Sequence, residues 1–289
     1  MVTRCFDLLK WAANELHAHN RDENIGEILL EARLRRSRTA LLANLNDAVS
    51  EADTAWVAAR VNEHIRTGKP VQYMLEEAPF YGRLFHVTAD VLIPRQETEE
   101  LVFRAGQWAA KYVGEQTSLR VCDIGTGSGA IAVTLALEHP NWQMTAVDVS
   151  WHALKVAEQN AARLGAAVTF RQGNFLEPLD GEKINMIVAN PPYITREEMA
   201  ELTDTVREFE PHLALYGGMD GLDPYREILA QLPPVIDSSQ PFLIAFEIGA
   251  SQGSAVAQLI RDSFAERVTA LEIAQDIAGL DRNVMAVLD

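Results

Sequence analysis

Two short segments of this 289-residue chain carry residue types and spacings that can do chemistry. The first is Asp123-Ile124-Gly125-Thr126-Gly127-Ser128-Gly129, which falls between a run of strand character and a run of helical character. Glycines in such a turn let the backbone reverse tightly and approach a ligand closely, with the amides of the helix start pointing at it. Gly125-x-Gly127-x-x-Ala130 also meets the dinucleotide-binding pattern with its permitted terminal alanine. Asp148 ends the next strand, 148 − 129 = 19 residues further on, where a carboxylate can accept from both hydroxyls of a ribose. This much fits a nicotinamide cofactor and S-adenosylmethionine equally.

The second segment, Asn190-Pro191-Pro192-Tyr193, separates the two. It follows an apolar strand over 184–189, at the carboxyl edge where open α/β sheets bind ligands. Each proline fixes its own φ and restricts the residue before it, so Asn190 and Tyr193 are held in one rigid geometry. An Asn oxygen and a nearby backbone carbonyl can take both hydrogens of a planar –NH₂ group while an aromatic ring packs on its face. An amide or aromatic amine is a poor nucleophile because its lone pair is delocalised. Gripping its hydrogens and aiming nitrogen at an electrophilic methyl needs a clamp of this kind. A proline pair after a strand is by itself an ordinary turn; following a glycine-rich cofactor turn with two strands between, it reads as a substrate site.

The elements that must position these segments follow from periodicity. Residues 1–75 read as helices alone. Phe6, Leu9, Ala13 and Leu16 recur at helical spacing, and a second helix is predicted over 25–42, with Ile28, Leu29, Ala32 and Leu34 apolar. A third begins at Ser50, with Asp53 three residues on, and ends at Gly68 ahead of Pro70. Ala55, Val57, Ala58, Val61 and Ile65 supply its buried stripe. Phe80-Tyr81-Gly82-Arg83-Leu84-Phe85 reads as a hairpin joining two domains, and a helix follows over 97–112. From there strands are predicted over 119–124, 142–147, 168–171, 184–189, 242–247, 268–273 and 284–288. Helices over 130–138, 151–164 and 251–264 lie among them. Alternation of this kind implies a mostly parallel sheet covered by helices on both faces.

Composition sets the outer limits. With 25 Lys and Arg against 41 Asp and Glu, the formal charge is −16, which argues against a protein built to grip naked nucleic acid. Cys5 and Cys122 stand far apart with no CxxC pair, so no zinc site or disulfide framework is expected. No stretch approaches 18 apolar residues, and the N-terminus lacks the apolar run of a secretory signal. A soluble cytoplasmic protein, with no membrane contact, is the expectation. The seven histidines show no paired ligand spacing, and no metal is expected.

Several features have plainer readings. Gly249-Ala250-Ser251-Gln252-Gly253 matches a nucleophile elbow, but no histidine follows His212 to complete a triad in that order. Arg33, Arg35, Arg36 and Arg38 read as a solvated helix face; the sharper alternative is a dock for an acidic partner surface or RNA. Cys122, inside an apolar strand, reads as a small core residue.

The chain resembles the class I S-adenosylmethionine-dependent methyltransferases, and within them the HemK/PrmC group that methylates the glutamine amide of peptide chain release factors. The motifs are Ser37-Arg38-Thr39, Phe80-Tyr81-Gly82, the run Ile93-Pro94-Arg95-Gln96-Glu97-Thr98-Glu99-Glu100-Leu101, and the glycine-rich turn. Asn190 to Tyr193, Glu210-Pro211 and Gly217-Gly218-x-Asp220-Gly221-Leu222 complete them. The resemblance implies a Rossmann-like domain with a seven-stranded, mostly parallel sheet over 96–289. It also implies a small all-α docking domain over 1–75 and a β-hairpin linker over 76–95. It implies that Gly125, Thr126, Gly127, Ser128 and Gly129 line the methionine part of the cofactor, that Asp148 holds the ribose, and that Phe175 flanks the adenine. Asn190, Pro191, Pro192 and Tyr193 would hold the substrate glutamine, with Asn190 also beside the cofactor. The reaction implied is direct, in-line methyl transfer from S-adenosylmethionine to glutamine N5 of the Gly-Gly-Gln motif in class 1 release factors. S-adenosylhomocysteine leaves neutral, without a general acid. A monomer without direct nucleic-acid contact is expected. Gln96 stands where relatives carry Pro, and Leu280 replaces a usual Arg. The rival functions are an N6-adenine methyltransferase on DNA or RNA, a glutamine methyltransferase of a ribosomal protein, a dehydrogenase and a non-catalytic adaptor. The adenine enzyme would share the clamp; the dehydrogenase leaves Asn190 to Tyr193 without a role.

Overall fold

The computed structural model describes residues 3–115 and 117–289. Its described residues form two compact units, one running up to Glu77 and including Thr203–Phe209, the other Ala78–Leu202 with Glu210–Asp289.

The first unit is helical: α1 (Cys5–Ala18), α2 (Ile25–Leu34), α3 (Arg38–Ala43), α4 (Glu51–Thr67) and α5 (Val71–Leu75). Ser50 caps α4 as its sequence predicts, its hydroxyl accepting from the Asp53 amide at 3.1 Å, and Gly68 closes it at φ 77°. Two expectations are corrected. The stretch 25–42 is two helices, because Arg35 turns left-handed at φ 53° and extended Ser37 opens α3 by accepting from the Ala40 amide. The buried stripe of α1 is Cys5, Leu8, Ala12 and Leu16, while Phe6 is 51% exposed. Both stripes have helical spacing; the choice is made at Gly26 of α2, where a Cβ would lie 2.6 Å from the Ala12 Cβ. Only the face carrying Ala12 lets the two helices approach so closely. Asp204 belongs to this unit through a bidentate pair with Arg21, both bonds 2.7 Å.

The second unit opens with the hairpin of β1 (Glu77–Phe80) and β2 (Arg83–His86). Then come α6 (Gln96–Tyr112), β3 (Arg120–Ile124), α7 (Ala130–Glu138), β4 (Gln143–Asp148), α8 (Trp151–Leu164), β5 (Val168–Gln172) and β6 (Met186–Ala189). They are followed by α9 (Glu198–Glu201), α10 (Asp204–Arg207, part of the helical unit), α11 (Asp223–Gln231), β7 (Phe242–Glu247), α12 (Gly253–Phe264), β8 (Val268–Gln275) and β9 (Asp281–Leu288). The sheet order is β5-β4-β3-β6-β7-β9-β8. The first five strands pair in parallel, and β9 is antiparallel to both β7 and β8. This is the seven-stranded, mostly parallel sheet the resemblance implies.

Strand residues alternate between two cores, as a period of two requires. Cys122, Ile187, Ile244 and Phe246 pack with α11 and α12 on one face; Val121, Val188, Leu243 and Ala245 pack with α6 and α7 on the other. The chain runs from β3 outward to β4 and β5, then returns to place β6 on the other side of β3. The strand order therefore reverses between β3 and β6, and a crevice opens at their carboxyl ends.

Candidate active site

The glycine-rich turn leaves β3 at that crevice. The amides of Gly125 and Thr126 donate to the Val147 carbonyl at 2.8 and 3.0 Å, folding the turn back onto β4. Gly125, Gly127 and Gly129 have φ of 70°, 54° and 80°, conformations that suit glycine. A Cβ at Gly129 would lie 3.1 Å from that of Ala157, so this glycine lets α7 start against α8. At Gly125 and Gly127 nothing lies within 4 Å of the Cβ position; both face open cleft. Thr126 and Ser128 point inward and are buried, and with Gly129 they do not line the cleft. The Thr126 hydroxyl donates to Asp123 at 2.6 Å, and the Ala132 amide donates to the same oxygen at 3.1 Å. Burial nevertheless pushes the Asp123 carboxyl up to about 7, and its other oxygen has no hydrogen-bond partner.

Asp148 ends β4 beside the turn. One carboxylate oxygen accepts from the Gly127 amide at 2.9 Å and the other from the Ser150 amide at 2.8 Å. Burial raises this carboxyl, while those amides pull the other way. Asp148 also lines the cleft, and a carboxylate has acceptor sites beyond those its amides fill, which a vicinal diol can use. Phe175 lies on the same cleft at φ 49°, a costly conformation for an aromatic residue, and its neighbours fix it. The amide of Leu176 donates to Gln231 at 2.8 Å, and the Asn174 side chain bonds Glu227. The cleft is partly enclosed and opens to solvent. Open glycine backbone, a paired carboxylate with spare acceptors and an aromatic wall together fit a ribonucleoside with a charged tail, such as S-adenosylmethionine.

Asn190 and Pro192 line this cleft too. Tyr193 lines a second hollow, open to solvent, together with Gln252 and Arg282. Buried Pro191 separates Asn190 from Pro192. The Asn190 Nδ2 donates to the Thr98 hydroxyl oxygen at 3.1 Å, leaving Oδ1 as the free acceptor. The rest of the segment is braced from elsewhere in the unit. Gln252 donates to the carbonyls of Tyr193 at 2.9 Å and Gly221 at 3.3 Å, and accepts from the Gly249 amide at 3.0 Å. Ile194 exchanges backbone bonds with Leu215 and Gly217. A Cβ at Gly217 would sit 2.6 Å from the Pro192 carbonyl oxygen, and one at Gly221 2.2 Å from that of Tyr193. Burial pushes the Tyr193 phenol up to about 12, with the charge of Glu247 adding to it.

The Arg95–Glu99 run turns out to be a set of fasteners. Arg95 pairs with buried Glu210 at 2.6 Å, Thr98 meets Asn190, and Glu99 accepts from the Tyr81 amide at 2.8 Å. Exposed Gln96 begins α6 without touching the site. Leu280 is half exposed, and its turn is held through its backbone amide by Asp276, which Arg282 also grips. Sequence reasoning missed the apolar wall of Leu92, Val149, Leu213 and Tyr216. No motif marks it, because packing alone brings those residues together. It also missed Thr98 and Gln252 as supports of Asn190 to Tyr193. The nucleophile-elbow pattern is explained by Gln252, whose amide is the brace. In the helical unit Arg33, Arg36 and Arg38 pair with Asp53, Asp47 and Glu27, which supports the plainer reading of that cluster. Among the described residues, no group of three or more His, Cys, Asp or Glu side chains could hold a metal ion, and no helix is long and apolar enough to cross a membrane.

Comparison with known proteins adds a lineage to this geometry. Residues 7–75 match the family model of the PrmC N-terminal domain, and residues 106–214 that of the methyltransferase small domain. The release factor glutamine methyltransferase of Bacillus cereus is 42% identical over 288 residues, covering 99% of this chain and 100% of that protein. That of Bacillus subtilis is 44% identical over 285 residues, covering 98% and 97%. Among solved structures, the catalytic domain of human Mettl16 in complex with a MAT2A 3′UTR hairpin aligns with a TM-score of 0.53 at 14% identity. It covers 84% of each chain and shares the fold. Matched from end to end by proteins of one kind, the chain belongs to the release factor glutamine methyltransferase (PrmC) family of S-adenosylmethionine-dependent methyltransferases.

Proposed function

We propose that the chain methylates N5 of the glutamine in the Gly-Gly-Gln motif of class 1 peptide chain release factors, in the cytoplasm. The observation that carries this reading is Asn190, whose Nδ2 is committed to Thr98 while its Oδ1 stays free beside the glycine cradle. Bound S-adenosylmethionine supplies a methyl group activated by its sulfonium. The backbone of Gly125 and Gly127 would hold its methionine part, Asp148 would accept from its ribose, and Phe175 would pack on its adenine. Thr126, Ser128 and Gly129 serve by shaping the turn. Asn190 Oδ1 and the Pro191 carbonyl accept the two amide hydrogens of the glutamine, which shifts electron density onto nitrogen; as the N–C bond forms and the S–C bond breaks, one of these hydrogens leaves as a proton to the solvent-open cleft. Pro192 stiffens the segment and Tyr193 walls the amide plane, so the lone pair is aimed along the line of transfer. Orientation is the main contribution, since misplacement by about 1 Å can lower the rate on the order of 10²-fold. Residues 1–75 dock the release factor, 76–95 link, and 96–289, apart from 203–209, catalyse; the matched N-terminal family model supports the first of these bounds.

The test is incubation with tritiated S-adenosylmethionine and purified release factor, followed by peptide mass mapping. One added methyl on the glutamine of the Gly-Gly-Gln loop is expected. Label appearing only in the adenine of added DNA or RNA would move the assignment to the nucleic-acid enzymes.

A further inference from the structure

An asparagine carboxamide is nearly symmetric in shape but not in chemistry. Turned by 180° about χ2, Asn190 would present two N–H donors to an acceptor amide that itself offers hydrogens, and the clamp would repel its substrate. Something must therefore tell its oxygen from its nitrogen. The group next to Asn190 is the Thr98 hydroxyl, buried in the first turn of α6. A hydroxyl alone makes a poor referee, since it can donate to Oδ1 as readily as it accepts from Nδ2. What decides its direction is a third group. Glu247 ends β7 in the position beside Asn190, because Ala189 and Phe246 are paired across β6 and β7. It is 1% exposed, lies near enough to the Thr98 hydroxyl for its raised carboxyl to be drawn back down by it, and keeps one oxygen without a partner. When ionised, this carboxylate only accepts, so it takes the hydroxyl proton and leaves the Thr98 oxygen as an acceptor facing Nδ2.

We propose that Thr98 is a positioning residue that fixes the orientation of the Asn190 carboxamide, with Glu247 fixing Thr98, so that Oδ1 always faces the substrate amide. This rests on the glutamine-methylation reading. Neither residue touches the reacting atoms. Both act by removing a misoriented population of the clamp, a loss that enters kcat and leaves the cofactor cradle alone.

Thr98→Val keeps the shape and apolar contacts of the side chain and deletes the hydroxyl; Thr98→Ser keeps the hydroxyl and drops a methyl. Steady-state methylation of purified release factor is measured for both and for wild type, with equilibrium binding of S-adenosylmethionine and a thermal midpoint for each. Thr98→Val is expected to lower kcat roughly 10- to 100-fold, equivalent to about 1.4–2.8 kcal/mol. Its KM for release factor, cofactor affinity and midpoint stay close to wild type, and Thr98→Ser returns kcat to within a few-fold. Glu247→Gln, which offers donors as well as an acceptor, lowers kcat less than Thr98→Val. A Thr98→Val enzyme as fast as wild type overturns the proposal, as does equal impairment of the Val and Ser variants or a loss confined to cofactor affinity. Wild-type protein that leaves the release factor glutamine unlabelled fails the underlying reading, and the proposal falls with it.

Discussion

The glycine-rich turn and the Asn190–Tyr193 segment end neighbouring strands, yet they are held by different means. Most bonds that shape the turn come from residues 123–150: the Val147 carbonyl, the Asp123 and Asp148 carboxylates, and amides of the turn itself; Asn160 of α8 adds one, donating to the Ser128 carbonyl at 2.9 Å. The second segment is held by Thr98, 92 positions away, by Gln252, 59 positions away, and by the 215–221 loop. The glycine-rich turn is thus held mainly by the consecutive segment from β3 to α8, while the acceptor clamp exists only once distant segments have docked. Damage near the turn should act on cofactor affinity, and damage around Asn190 on turnover.

The sharpest break in that comparison is the pair Asn190→Ala and Asp148→Ala. Removing the Asn190 acceptor is expected to lower kcat by roughly 10²- to 10³-fold, the scale seen when one preorganised polar contact is lost. Cofactor binding should largely survive, because the cradle lies elsewhere. Asp148→Ala should do the converse, weakening S-adenosylmethionine roughly 10- to 100-fold through two lost charge-assisted bonds while saturated turnover stays within about tenfold. Equilibrium binding and saturated kcat on the same preparations check both. Equal loss of binding and turnover in Asn190→Ala would remove the division of labour.

A smaller effect is expected where the clamp is braced. Gln252→Leu leaves the Tyr193 and Gly221 carbonyls and the Gly249 amide without their side-chain partner. We expect about 2 kcal/mol of lost stability, a fall of roughly 4–8 °C in the thermal midpoint for a chain of this size. Turnover should fall about 5- to 10-fold with cofactor affinity unchanged. Differential scanning calorimetry beside the methylation assay separates the two losses.

What could be read from sequence follows the same division. Helix α8 is legible from end to end, since Ser150 caps it, Gly165 closes it and its apolar stripe has helical spacing. The turn and Asp148 are legible because their chemistry is written in consecutive residues. The first stripe of α1 was misplaced because two overlapping stripes fit the period equally and only contact with Gly26 chooses. The break at Arg35 goes unmarked, since arginine is a good helix former and nothing local demands its left-handed turn. Thr98 stands inside a recognisable motif, but its partner lies 92 residues on, and no local rule pairs them. Gln252 sat inside a misleading pattern. Residues 203–209 give no hint that they join the helical unit, because the bond that ties them there spans 183 positions.

The last test concerns the buried carboxyl behind each region, Asp123 at the turn and Glu247 at the clamp. Burial pushes both up to about 7, from 3.8 and 4.5 respectively. Asp123 keeps two donors on one oxygen, whereas Glu247 has Thr98 and the nearby charges of Arg282 and Arg95 to hold it down. A carboxyl with a raised pKa binds its proton more tightly in the folded state. Its contribution is therefore fully present below its ordinary pKa and is lost as pH rises through about 7. Stability of the free protein should accordingly decline between about pH 4.5 and 7, by at most roughly 1.4 kcal/mol per pH unit for each group, and level off above. The ion-paired carboxyls Asp204 and Asp220, drawn down to about 2 by hydrogen bonds from Arg21 and Arg226, act in a separate window. Their contribution is lost only as pH falls toward 2. Glu247→Gln removes one of the two raised titrations and should flatten the decline between 4.5 and 7 by about half, leaving the part that belongs to Asp123. Urea melts at half-unit pH steps measure this, and an unaltered slope in Glu247→Gln would mean that the clamp's carboxyl stays ionised throughout the window.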